Sequence, residues 1–117
     1  MEVWNTAIIL LRIMRSDKRE QQVLMQIPVV LFVYARPEHL RRTLACLREN
    51  HVPIIYVFSD GPKTADNISA VNLVRDTIRS VDWCEVQLVE RTNNLGLGRS
   101  IITGVPEVLD RHESIIV

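Results

Sequence analysis

The sequence has no excess charge, few cysteines, few histidines and no long hydrophobic run, and each shortage removes a class of function. Fourteen Lys and Arg residues balance fourteen Asp and Glu residues, so the formal net charge is zero. The broad attraction that draws a basic chain to nucleic acid or to an anionic membrane is therefore missing, and no nucleic-acid partner is expected. The two cysteines, Cys46 and Cys84, make no disulfide framework and lack metal-site spacing. They read as reduced thiols of a cytoplasmic protein. The three histidines, His39, His51 and His112, are scattered, and no pair has zinc-ligand spacing. The longest apolar stretch of the first 26 residues, "TAIILLRIM" (Thr6 to Met14), is broken by Arg12 and falls short of the roughly 20 residues a membrane span needs. A charged segment, "RSDKREQQ", follows it in place of a small-residue cleavage site, which excludes a signal peptide. Residues 2–22 are expected to form an amphipathic helix. That helical extension, residues 1–26, would precede a domain over residues 27–117 and pack on it or on a partner, with peripheral membrane contact as the alternative. Internal repeats, low-complexity stretches and interdomain linkers are absent from the sequence.

What remains is one domain's length of chain, 117 residues and 47% apolar, with a regular rhythm. "IPVVLFVY", "VPIIYVFSDG" and "CEVQLVE" are strand-like, and "ESIIV" begins a fourth run. Between them lie helical patterns. The first carries Leu40, Leu44 and Leu47 on one stripe, with Pro37 and Glu38 suited to its first turn. The second carries Val71, Val74, Ile78 and Val81, with Asp66 as the expected N-cap, and the third carries Leu97, Ile101, Val105 and Val108. Pro106 is expected to kink the third helix or to restart it after Gly104. Continuous apolar strands joined by helices predict parallel strands covered on both faces. The expected fold is an open three-layer α/β/α sandwich with right-handed crossovers.

Ligands of such sheets bind beyond the carboxyl ends of the strands. Three segments lie there: "YARP" (Tyr34 to Pro37), "SDGPK" (Ser59 to Lys63) and "RTNNLGLG" (Arg91 to Gly98). Arg36 offers a forked cation for a diphosphate, Asp60 a carboxylate for a ribose hydroxyl or base N–H, and the glycines a helix start that favours phosphate. Each piece also has an ordinary reading. Asp60-Gly61-Pro62 suits a plain turn, Arg36 a solvated strand end, Asn93 and Asn94 a helix cap, and Gly96 and Gly98 a tight loop. Two common nucleotide motifs are excluded. "GLGRSI" (Gly96 to Ile101) has Ile101 where a dinucleotide fingerprint needs glycine and follows the third strand rather than the first, and the chain has no G-x-x-x-x-G-K-[ST] loop.

"PVVLFVYARPEHLRRTL", "IIYVFSDGPK", "DW" and "RTNNLGLGRSIITGV" occur in that order. Together they resemble the N-terminal half of a GT-A glycosyltransferase domain, of the family 2 or N-acetylglucosaminyltransferase I-like kind, over residues 27–117. The resemblance implies strand order 3-2-1-4 and a nucleotide-diphospho-sugar ligand, expected to be a UDP-sugar. Val33 to Ala35, with Tyr34 among them, match the strand end that cradles the base. Arg36 matches an arginine near base and phosphates, Asp60 the aspartate at base or ribose, and Asn94 and Gly96 a segment lining the same pocket. In the family an acidic motif after the fourth strand holds Mn²⁺ or Mg²⁺ against the diphosphate. This chain closes on Ile115, Ile116 and Val117 without it. It is expected to be a fragment of such an enzyme, or a shortened relative, that holds no metal and transfers no sugar by itself. The alternatives are a non-catalytic nucleotide-binding module and a protein-interaction scaffold. The open edge of the fourth strand predicts self-association.

Overall fold

The computed structural model describes residues 27–117. The expected helix over 2–22, and any membrane or partner contact through it, lies outside the described residues.

Among the described residues three strands and three helices alternate: β1 (Val29–Val33), α1 (Pro37–Glu49), β2 (Ile54–Ser59), α2 (Ile68–Arg79), β3 (Glu85–Glu90) and α3 (Leu97–Leu109). The strands form one parallel sheet in the order β1-β2-β3, with Val29 beside Ile55 and Ile54 beside Glu85 starting the two registers. The chain is thus α/β, as its apolar rhythm predicts. The "ESIIV" run makes one parallel bridge, Ile116 to Val29, on the other edge of β1. The expected fourth strand is therefore reduced to a single rung, closed by Val30 N–H to Ile116 O at 2.7 Å and Ile116 N–H to Pro28 O at 3.0 Å.

Strand periodicity sorts the core into two clusters. Val29, Leu31 and Val33 of β1, with Ile55 and Val57 of β2, pack with Leu40, Leu44 and Leu47 of α1 and with Val74 and Ile78 of α2. Val30 and Phe32, with Tyr56 and Phe58, pack with Val108 of α3. Burying a side chain of this size stabilises by about 1.5–3 kcal/mol, so the stripes read for α1 and α2 are what fix those helices to their face; of the stripe read for α3 only Val108 is fully buried, beside Ser100 and Gly104, and Leu97 is exposed. β1 and β2 are almost wholly buried, whereas β3 alternates between exposed and half-buried residues. Val86 and Leu88 of β3 pack against the first cluster and Val89 against the second, so both of its faces are partly covered.

Two local expectations and one half of a third are corrected. Asp66 does not cap α2; it sits in a single 3-10 turn, Ala65–Asn67, and α2 begins after Asn67 without a side-chain cap. Val81 lies just beyond the end of α2 and packs against the core from the following turn. Pro106 does not restart α3, which runs unbroken from Leu97 to Leu109 with the proline inside it. Gly104 is there for closeness rather than as a break: a methyl group on it would stand 3.0 Å from the Phe32 ring and 3.1 Å from the Phe58 ring.

Candidate ligand site at the strand ends

The carboxyl ends of β1 and β2 and the start of α3 enclose a cleft of about 240 Å³. Its apolar wall is Phe32, Val33, Phe58 and Leu97, and its polar groups come from Tyr34, Asp60, Lys63, Asn94, Gly96 and Ser100. The Phe32 and Phe58 rings are stacked with centroids 5.4 Å apart. Flat apolar walls with a few convergent polar groups are the usual make-up of a small-molecule site, though this cleft is smaller than the roughly 300–1,000 Å³ of sites for larger ligands.

Four of the six residues singled out in the sequence, Tyr34, Asp60, Asn94 and Gly96, line the cleft. Ala35 and Arg36 do not: Arg36 is exposed and occupies the cap position of α1, where it makes no capping bond. Phe32, Val33, Phe58, Lys63, Leu97 and Ser100 complete the wall. Phe32 and Phe58 were legible only as apolar strand residues.

The polar residues are largely engaged with the protein itself. Asp60 is 8% exposed. Its Oδ1 accepts from the backbone N–H groups of Gly61 at 2.9 Å and Leu95 at 2.8 Å, and its Oδ2 from Gly96 N–H at 3.0 Å. The carboxylate therefore ties the end of β2 to the loop that starts α3, which is more than a plain turn. Asn94 adds a second tie, donating its Nδ2–H to Gly61 O at 2.8 Å. It does not cap α3, whose cap position is Gly96 with no side-chain cap bond. Gly96 has φ of +78°, a conformation that glycine adopts at little cost. Gly61 has no room for a side chain, since a Cβ there would lie 2.5 Å from Thr92 O and 2.6 Å from the Asn93 carbonyl carbon. Tyr34 donates its hydroxyl to Asn67 Oδ1 at 2.7 Å and accepts from Lys63 N–H at 2.9 Å. It thus holds the 63–67 segment beside the cleft.

Arg75 of α2 is the residue that the sequence reading missed. Its Nε donates to Ser59 Oγ at 2.9 Å, and one terminal nitrogen donates to the carbonyl oxygens of Arg91 at 2.7 Å, Asp60 at 3.2 Å and Ser59 at 3.3 Å. One guanidinium thus holds the ends of β2 and β3 together. Nothing in the sequence separates it from the other polar positions of α2. Arg91 itself lies over the Phe58 ring, 5.7 Å from its centroid.

The two thiols sit away from the cleft wall. Cys46 is exposed and Cys84 half-buried, and burial, helped by the charge of Glu85, pushes the Cys84 thiol above its ordinary value.

Among the described residues no three His, Cys, Asp or Glu side chains come together as a metal site. The one carboxylate on the cleft, Asp60, is committed to three N–H groups. Among those residues no helix is long and apolar enough to cross a membrane. No family model, curated protein or solved structure matches the chain.

Proposed function

We propose that the chain is the nucleotide-binding part of a GT-A-type glycosyltransferase, with a UDP-sugar as the ligand of the whole enzyme. The observation that carries the reading is convergence. Tyr34, Asp60, Asn94 and Gly96 come from three separate segments of the sequence and line one cleft at the carboxyl ends of parallel strands, where open α/β sheets bind ligands. In this reading the Ile116 bridge is the first rung of a fourth strand, the order is 3-2-1-4, and the sheet is the middle of three layers. The aromatic cleft takes the nucleoside. Arg36 would have to swing in from the rim to reach a phosphate. Mn²⁺ or Mg²⁺ belongs to the acidic motif of a full-length enzyme, so this chain transfers no sugar alone. The reading also carries the cytoplasmic setting and self-association through the open edge beside Ile116.

A scaffold role is the second reading, and Asp60 favours it, because its bonds to the backbone account for that residue without any ligand. Calorimetric titration of the 117-residue chain with uridine and UDP, followed by amide-shift mapping, separates the two. Saturable binding with shifts at Tyr34, Lys63, Asn94 and Gly96 is the expected result. No binding of either compound, or shifts confined to other faces, would overturn the nucleotide reading and leave the scaffold.

A further inference from the structure

The start of α3 is left chemically unfinished. No side chain caps it, and no acidic residue stands in its first turn. The N–H groups of Leu95 and Gly96 go to Asp60, and the first bond inside the helix is Ser100 N–H to Gly96 O at 3.1 Å. The donors of Leu97, Gly98 and Arg99 lie between these and find no acceptor among the described residues. Such orphan donors at the positive end of a helix favour an anion. The charged residue in this turn is instead a cation, Arg99, the sign that the helix dipole disfavours at this end.

Ser100 is the second, independent observation. It is 5% exposed and lines the cleft. Its hydroxyl makes no hydrogen bond among the described residues, although a serine in a helix commonly bonds back to the preceding turn. Of the described polar side-chain atoms, Arg91 Nε is the one that is both sealed from solvent and unpartnered. The Ser100 hydroxyl is therefore not sealed, and Ser100 is a residue of the cleft wall. Lys63 lines the same cleft and adds a positive charge, while Asp60 opposes with a carboxylate that already accepts three N–H groups.

We infer that the first turn of α3, with the Ser100 hydroxyl, is a subsite for a phosphate group. The identity of that phosphate as part of a nucleotide rests on the reading above; the subsite itself does not. Inorganic pyrophosphate, uridine and UDP are titrated separately into the 117-residue chain without divalent cation, and then into two variants. Ser100→Ala removes the hydroxyl and nothing larger. Gly98→Glu places a carboxylate in the first turn, at a position where a Cβ meets open space and where an acid suits the helix. Melting curves check that both variants fold. The expected result is UDP binding about tenfold or more tighter than uridine, as charge-assisted bonds allow. Ser100→Ala should weaken UDP by about tenfold and leave uridine unchanged, and Gly98→Glu should abolish pyrophosphate binding. If UDP binds no tighter than uridine, or Ser100→Ala binds UDP like the parent, the subsite is wrong while the nucleoside reading stands. If pyrophosphate binds and Gly98→Glu removes it, but uridine does not bind, the subsite stands and the nucleotide reading falls. If none of the three compounds binds, both fall.

Discussion

Two neighbouring strands of this sheet end in opposite ways. β2 runs out into Ser59, Asp60 and Gly61, and every polar side chain there is tied: Ser59 to Arg75, and Asp60 to the N–H groups of Gly61, Leu95 and Gly96. β1 runs out into Tyr34, Ala35 and Arg36, where Tyr34 holds the 63–67 segment and Arg36 is exposed and makes no cap bond. The contrast separates two jobs that look alike in a sequence. A charged residue at a strand end can be built into the loop structure or stand exposed, and Asp60 does the first where Arg36 does the second.

The sharpest way to break this contrast is at Gly61. In Gly61→Ala the new Cβ would overlap backbone atoms of Thr92 and Asn93, which cannot swing aside as a side-chain tip can. The expected loss is about 3 kcal/mol, the upper end of overpacking, read from a chemical denaturation midpoint. A stability unchanged within error would mean that the 92–93 loop is not held where it stands.

Asp60→Ala comes next. It strands three N–H groups, with an expected cost of about 2 kcal/mol since water can reach part of the loop. Asp60→Asn keeps one acceptor oxygen and should fall between the variant and the parent. Arg36→Ala should stay within about 0.5 kcal/mol of the parent, as for an exposed side chain with no partner among the described residues. Equal losses at Asp60 and Arg36 would erase the distinction between the two strand ends.

The smallest effect belongs to His39. Desolvation, then the positive charges of Arg36 and Arg42, hold its imidazole below the ordinary value of 6.5. The folded chain thus binds the proton less readily than the unfolded chain. The associated stability is fully present above pH 6.5 and is lost as pH falls through the lower folded value. An NMR titration should place the His39 midpoint below 6.5, and Arg36→Ala should raise it. A midpoint that ignores Arg36 would show that the arginine points away.

The alternation of strands and helices was legible because burial on a given face imposes its own period, and Leu40, Leu44 and Leu47 could only be a stripe. The convergence of Tyr34, Asp60, Asn94 and Gly96 followed from the same reasoning, since parallel strands bring their carboxyl ends to one rim. What each residue does there was not legible. The partners of Asp60 lie at Leu95 and Gly96, far along the chain, and no local pattern announces such a bond. Arg75 was missed for the same reason, as its acceptors are carbonyl oxygens, which every residue has. The single turn at Ala65–Asn67 displaced Asp66 from its expected cap because a short 3-10 segment carries no periodicity to read.

The bridge between Val29 and Ile116 bears on time rather than place. β1, β2 and β3 pair with their neighbours in sequence, so a folding chain can zip them in order, each step closing a short loop. The bridge joins the first strand to the far end of the described residues and closes the longest loop of all. The entropy of loop closure grows with length, and two backbone hydrogen bonds repay little of it. The bridge should therefore act as a latch that shuts last on a finished sheet and lifts first. In native-state hydrogen exchange, the amides of Val30 and Ile116 should open well before that of Val57, in the central strand.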